Sequence, residues 1–380
     1  MVSLSYFTTV IDVVVIGGGL AGLINAIQLK RKGLSVTLFE EKKYPFHRVC
    51  GEYISNEVIP FLKKNELFPE DLHPTDITQF QLTAPSGQGL KMKLDLGGFG
   101  VSRYRYDEWL ASKALNEGVE IIHQRVISCN YESNQFQLTT NNDSSIACRI
   151  AIGAFGKRSL LDKKLDRNFI SKRSPYIGVK YHIKTSEASD NEIALHNFQN
   201  GYCGISKIED DTYNLCYLSH RNNLKNYSDI NEMEKQVLLK NPHLKQIFDN
   251  SEFLFKKPEV INEISFMKKE PVYNHILMTG DSAGMITPLC GNGMAMAIHS
   301  AKILSELILK HFTQDQFDRL KLEREYSVAW QKQFSQRLWA GRKIQSLFGA
   351  SKISEWTVSA GKYFPSLSSF LMKQTHGKPF

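Results

Sequence analysis

The stretch "DVVVIGGGLAGLINAIQLKRKGLSVTLFEEK", Asp12 to Lys42, decides the fold. Val13 to Ile16 is an unbroken apolar run, the pattern of a strand buried on both faces in a parallel sheet. Gly17-x-Gly19-x-x-Gly22 follows at once. Ala21, Leu23, Ile24, Ala26, Ile27 and Leu29 then predict a helix, closed by Lys32-Gly33. "LSVTLFEE" reads as the next strand, which completes one βαβ unit of about thirty residues.

Each glycine has a physical reason. The first permits the tight turn, the second lets the backbone approach a pyrophosphate, and the third lets helix and strand pack closely. The helix start offers unpaired N–H groups and a positive dipole end. Glu40 lies eighteen residues after Gly22, at the end of the second strand. A carboxylate there accepts hydrogen bonds from both hydroxyls of an adenosine ribose and repels a 2′-phosphate, which disfavours NADP at this turn. The turn by itself leaves NAD and FAD both open, with a purely structural turn as the bland alternative.

A second motif, "GDSAGMITPLCGNGMAMAI", runs from Gly280 to Ile298 after the strand-like "HILMT". It resembles the second FAD fingerprint of the p-hydroxybenzoate hydroxylase-like flavoproteins, Gly-Asp-x-Ala…Pro-x-x-Gly-x-Gly, through Gly280, Asp281, Ala283, Pro288, Gly291 and Gly293. The resemblance implies that Asp281 binds the ribityl and ribose side of FAD. It also implies that backbone N–H groups from Gly291 through Asn292 and Gly293 to Met294 face the flavin, where reduced flavin carries negative charge. "VSRYRYDEWLASKAL" is similar to the family's Arg…Asp…Leu helix, which implies Arg103 near flavin and pyrophosphate. "IGAFGKRS" is similar to its "GADGxxS" turn; Phe155 replaces the usual aspartate, while Gly156, Arg158 and Ser159 are kept. The implied contacts to FAD are completed by Gly17, Gly19, Leu20, Ala21, Gly22, Glu40, Glu41, Arg48 and Val126. NAD(P)H is implied as a transient electron donor, and no metal is expected.

"YPFHRVCGEYISNEVIPFL", Tyr44 to Leu62, marks the branch. Its Arg48-x-Cys50-Gly51-Glu52 run is similar to the Cys-Gly-Gly/Glu/Asp segment of geranylgeranyl reductases, which reduce isolated double bonds in isoprenoid lipids. Its "GEY" also resembles the "GES" turn of flavin-dependent halogenases. The match implies Cys50 beside the flavin, as the candidate catalytic side chain; on its own it reads equally as a small buried thiol. Cys290 falls in the flavin-facing turn, and a Cys50–Cys290 redox pair requires Cα atoms within about 7 Å. The reductases' Tyr-x-Trp-x-Phe-Pro segment has its best counterpart in "GYCGISK". Tyr202 is kept, Gly204 stands for the tryptophan, and Ser206-Lys207 for Phe-Pro. The halogenases' Trp-x-Trp-x-Ile-Pro is absent, which argues against halogenation. A missing tryptophan opens space for a bulkier apolar ligand. The pocket candidates are Tyr53, Tyr202 and Cys290, with His47 as a further polar group; His275 and His299 read as structural.

The chain has 380 residues, of which 42% are hydrophobic and 23% charged, as in a globular protein of about two domains. The six cysteines show no CxxC and no zinc spacing, which predicts a reduced, cytoplasmic setting. No secretory leader is expected, and no apolar run reaches the roughly 18–20 residues of a membrane span. Net charge is +8 and uneven. From Gln331 to Phe380 eight Lys/Arg (332, 337, 342, 343, 352, 362, 373, 378) face one acid, Glu355. This reads as a solvated helical face, or as a peripheral contact to anionic lipid; no nucleic-acid module is visible.

The expected architecture is α/β. A Rossmann-like FAD-binding domain takes 1–75, 101–175 and 270–310. An interleaved antiparallel sheet for substrate takes 76–100 and 176–269, and C-terminal helices take 311–380. Within the sheet region "IGVKYHIK", "EIALHNF", "GYCGISKI" and "TYNLCYLS" alternate, and a helix is expected over Asn231–Leu239. "RVISCNYESNQFQLTTN" reads as a hairpin, and Asn292 to Lys310 as a long apolar helix. Tyr326, Trp330, Phe334 and Leu338 recur every four residues, a core-facing helix stripe. The implied function is an FAD-dependent oxidoreductase acting on a lipophilic small molecule, by alkene reduction with hydride from NAD(P)H. The alternatives are an FAD monooxygenase hydroxylating an aromatic or polyketide-like ring, and a non-catalytic flavin-binding protein at a membrane surface. Flavin chemistry needs few protein side chains, so the lack of a catalytic triad does not argue against an enzyme.

Overall fold

Strand β1 (Ile11–Ile16) lies parallel to β2 (Val36–Phe39), with Val13 opposite Val36 and Ile16 opposite Phe39. Helix α1 (Leu20–Lys30) crosses between them and buries nearly its whole length. The computed structural model describes residues 10–171, 173–262, 264–287, 291–312, 317–347, 355, 358–359 and 377–380. Around β1 it builds a mostly parallel sheet. Strand β6 (Glu120–Ile122) follows β2 on one side; β9 (Ser145–Gly153) and then β17 (Ile276–Met278) follow β1 on the other. The hairpin β7 (Val126–Glu132) and β8 (Gln135–Thr140) adds to β9, and β16 (Val272–Tyr273) pairs antiparallel with β17.

The second sheet runs β14 (Glu252–Phe253), β10 (Tyr176–Lys184), β13 (Tyr213–His220), β12 (Gly201–Lys207), β11 (Glu192–Phe198), β4 (Thr75–Thr83), β5 (Gly89–Gly100) and β3 (Tyr53–Ser55), with β15 (Glu259–Asn262) also on β10. All its pairs are antiparallel except β4 with β11. Alternation decides what each face does. Val179, Tyr181, Ile183, Cys203, Ile205, Leu215 and Tyr217 point to a core closed by Met233 and Val237 of α6 (Ile230–Val237) and by Leu244 and Ile247 of α7 (Pro242–Asp249). The intervening residues form the other face. In register across it stand Lys180, Cys216, Gly204 and Leu195, and beside them Gly178, Leu218 and Tyr202.

Further helices are α2 (Ile59–Lys64), α3 (Arg103–Asn116), α4 (Leu160–Lys164), the short α5 (Arg221–Leu224), α8 (Gly293–His311) and α9 (Arg319–Leu347). The stripe Tyr326, Trp330, Phe334 and Leu338 of α9 is buried, each side chain contributing roughly 1.5–3 kcal/mol. Tyr326 donates its hydroxyl to the carbonyl of Met278, which fastens α9 to β17. Among the described residues no helix is long and apolar enough to cross a membrane.

Two elements depart from the sequence reading. Strand β3 pairs with β5, so Tyr53–Ser55 joins the second sheet from within a stretch read as part of the first unit. Three residues are too few to show alternation. The helix read over Asn231–Leu239 ends at Val237, and α7 then starts after Asn241, whose side chain accepts from the His243 N–H at 2.9 Å. That Asn-Pro start is a cap signal the reading did not use.

Candidate active site

The two sheets enclose a cleft of about 700 Å³. Its deep end is the turn after β1. Gly17 sits at φ +108°, and a Cβ there would stand 2.4 Å from the carbonyl oxygen of Ala154. At Gly22 a Cβ would stand 1.9 Å from the Gly17 oxygen, which explains the close approach of helix to strand. Gly22 does not line the cleft; it packs, whereas Gly17, Gly19, Leu20 and Ala21 do line it. Gly19 is the N-cap of α1 and no side chain caps the helix, so its first N–H groups are open to the cleft. A Cβ on Gly19 would meet only Arg103 Nη2, at 3.4 Å. The turn is a cradle with one free side.

Glu40 closes the end of β2. Its Oε2 accepts from the Gly18 N–H at 3.0 Å and from Arg48 at 3.0 Å, and its Oε1 from the Lys42 N–H at 3.1 Å. Arg48 also binds Asp107 at 2.9 Å, and Arg103 binds both oxygens of Asp107, at 2.6 and 2.7 Å. The buried Asp107 therefore fixes both guanidinium groups beside the cradle. It stood in the quoted Arg…Asp…Leu helix without a role, and only the structure gives it one. Glu41 pairs with Arg125, whose guanidinium holds its carboxyl below the usual range. Glu41 and Val126 line the same end.

The opposite wall comes largely from the distant segment 280–294. Gly280, Asp281, Gly291, Asn292, Gly293 and Met294 all line the cleft, as does Gly156, whose N–H donates to Ser282 Oγ at 2.8 Å. Lys269 is almost fully buried and bridges these segments, donating to the carbonyls of Lys157 (2.7 Å) and Asp281 (2.8 Å). Burial pulls its ammonium down to about 8. The sequence reading had no signal for it. Pro288 and Cys290 lie outside the described residues, and with Cys290 the Cys50–Cys290 pair.

Past the cradle the cleft opens onto the glycine-bearing face of the second sheet. Leu195, Tyr202, Gly204, Cys216, Leu218, Ile264 and Met285 line this arm, and Cys50 and Tyr53 stand at the junction. Tyr53 is buried and donates to the Gly97 carbonyl at 3.3 Å. Gly178 is tightly packed, a Cβ there falling 2.9 Å from Ile264 Cδ1. Gly204 has more room, with Leu195 Cδ2 at 3.3 Å and the Cys216 oxygen at 3.6 Å from a built Cβ. Burial, with Cys50 as the next influence, pushes the Cys216 thiol up to about 12.

One buried cluster was invisible in the sequence. Glu52, at φ +53°, accepts from Lys180 Nζ at 2.5 Å and from the Arg103 N–H at 2.8 Å, and its other oxygen contacts His182 Nε2 at 2.7 Å. Burial opposes the charge on Glu52, but the Lys180 ammonium and His182 overcome it and hold the carboxyl at about 2. His47 stacks on Tyr104 and meets the Phe255 ring at a tilt, both at 4.5 Å between ring centroids. Burial, with Lys180 and His182 adding to it, pulls His47 down to about 4. His275 and His299 lie away from the cleft. The first pairs with Glu323, and the second packs against Phe334.

The pyridine nucleotide-disulphide oxidoreductase family model matches residues 11–174. Digeranylgeranylglycerophospholipid reductase 1 of Methanopyrus kandleri is 23% identical over 371 residues, covering 90% of this chain and 92% of that protein. Conditioned medium factor receptor 1 of Dictyostelium discoideum is 22% identical over 355 residues, covering 86% and 68%. A geranylgeranyl bacteriochlorophyll reductase-like protein from Thermoplasma acidophilum superposes with a TM-score of 0.74 at 16% identity, over 92% of this chain and 91% of that one. The chain is an FAD-dependent oxidoreductase of the superfamily that holds geranylgeranyl reductase-like and p-hydroxybenzoate hydroxylase-fold flavoproteins. A flavin-dependent brominase shares the fold of this flavoprotein with a TM-score of 0.76 at 19% identity, over 97% and 93%. The cofactor is FAD. The flavoprotein's cleft suits it: uncapped helix N–H groups and an open glycine cradle at one end, and an apolar arm at the other.

Proposed function

We propose that this flavoprotein reduces an isolated double bond in a long or bulky lipophilic molecule, with NAD(P)H as electron donor. The observation that carries the reading is the continuity of the cleft, from the glycine cradle through the Cys50 junction into an arm walled by apolar side chains. The names of several relatives, digeranylgeranylglycerophospholipid reductases among them, support the same substrate class. Bound FAD supplies a two-electron store that accepts hydride from a nicotinamide and passes it to a substrate carbon.

The chain's own residues would bind and orient. The open N–H groups of α1 and Arg103 would hold the pyrophosphate, and Glu40 the adenosine ribose, as its lone pairs and its place at the end of β2 allow. Asp281 would hold the ribityl side, and the Gly291–Met294 turn the ring. Leu195, Leu218, Ile264 and Met285 would bury the apolar body of the substrate and keep water from the junction. Hydride at one alkene carbon must be matched by a proton at the other. Cys50 is the side chain we assign to the reacting end.

Stopped-flow turnover without oxygen tests the reading. Chemically reduced enzyme mixed anaerobically with a geranylgeranyl lipid should reoxidise as the product gains two hydrogens. A Cys50→Ala variant should keep its flavin spectrum and slow that step. Product that forms only when oxygen is admitted, and carries an added hydroxyl, would assign monooxygenase chemistry instead.

A further inference from the structure

The outer face of α9 carries chemistry that the cleft does not use. Tyr326, Trp330, Phe334 and Leu338 turn inward. Opposite them stand Lys321, Arg324, Val328, Lys332, Trp339 and Arg342, within an arc of about 80° at 3.6 residues per turn. Val328 is 62% exposed and Trp339 58%. The neighbouring carboxylates are already engaged, Glu323 with His275 and Glu325 with Lys310 and His311. From Val328 to Leu347 the helix holds no Asp or Glu. A protein-facing patch is depleted in lysine, whereas a bilayer interface takes tryptophan at headgroup level with Lys and Arg around it.

The face also has a meaningful position. Thr287 Oγ1 donates to the Gly341 carbonyl at 3.1 Å. A Cβ on Gly284 would meet Trp330 and Leu338. Met285 and Ile286, between these two anchors, line the cleft. Trp339 and Arg342 thus sit within a turn of the chain that walls the apolar arm.

We propose that this face of α9 seats the enzyme on an anionic lipid surface, with Trp339 at headgroup level and the apolar arm beside the bilayer. The purpose of such seating rests on the lipophilic-substrate reading, but the binding is measured without turnover. The probe is co-sedimentation of the full-length, FAD-loaded protein with two kinds of vesicle: phosphatidylcholine alone, and phosphatidylcholine with phosphatidylserine. The wild type should partition onto the anionic vesicles, and added salt should weaken it. Lys332→Glu and Arg342→Glu should each lower that partition about five-fold or more, from the interaction of one basic residue with an anionic surface. Trp339→Ala should lower it too. All three should keep the flavin spectrum, since none of these side chains lines the cleft. Equal partition onto both vesicles, partition onto neither, or indifference to the charge reversals overturns the proposal. Vesicle binding without anaerobic turnover overturns the functional reading alone; turnover of detergent-dispersed substrate without vesicle binding overturns this one alone.

Discussion

Replacing Glu52 with glutamine isolates the buried charges that tie the cleft loop to the second sheet. The amide keeps the shape and loses the charge. Lys180 then stays fully buried with neutral acceptors, the new amide oxygen and the Arg48 carbonyl 3.2 Å away, and no counter-charge at position 52. Breaking one side of a buried ion pair costs about 3–5 kcal/mol. Lys180→Met strands Glu52 in the same way. The double variant Glu52→Gln/Lys180→Met removes both charges, so it should fall short of the summed singles by roughly 2–3 kcal/mol. Urea unfolding, followed by circular dichroism and by flavin absorbance, reads these differences. The pH dependence gives a second check. Glu52 has its carboxyl depressed from 4.5 to about 2, so its stabilisation is whole above the unfolded value and is lost only as pH falls through the folded one. The gap between wild type and Glu52→Gln should therefore be flat on the neutral side of pH 5 and close in acid. Additive singles, or a single-variant loss under about 1 kcal/mol, would refute the reasoning.

Gly19→Val should fold and come out colourless, because its side chain has room only in the cradle; a yellow variant of normal FAD affinity would sink the assignment of the turn. Gly204→Trp must send its indole into the apolar arm, so a bulky lipophilic ligand should lose about ten-fold or more in affinity by calorimetry, with the flavin retained. Burial, aided by His243 and Lys91, pulls His196 down to about 3, so the folded state resists the proton that the unfolded chain takes up below 6.5. Stability should accordingly fall by roughly 2 kcal/mol from this residue between about pH 8 and pH 5, and His196→Asn should abolish that share. An unchanged acid slope in the variant would remove His196 from the account.

The sequence was most readable where local pattern and chemistry coincide. The run Val13–Ile16, the spaced glycines and Glu40 announce a strand, a turn and an acid, and β1, α1 and β2 place them so. The four-residue spacing on α9 names its buried stripe because helix geometry alone sets it. Long-range pairing left no such mark. In "IGVKYHIK" Lys180 and His182 alternate with apolar residues and look solvent-facing; they are buried because the loop bearing Glu52 lies across them. Arg48 lines the cleft, and its protein partners Glu40 and Asp107 come from two other elements, which its place in the sequence does not reveal. Glu57 and Arg337, paired at 3.2 Å, are 280 positions apart. Charges of this kind are legible only once the chain has folded back on itself.

The family match ends at residue 174, yet the nucleotide-gripping half is not a separable piece at that point. Strand β17 lies against β9, with Leu277 opposite Ile152, and α8 packs along α1. A polypeptide cut after 174 would bare an apolar parallel edge and a greasy helix flank, an invitation to aggregation rather than a portable module. During synthesis the early glycines must wait for some hundred further residues, those of the intervening sheet, before their own layer can close.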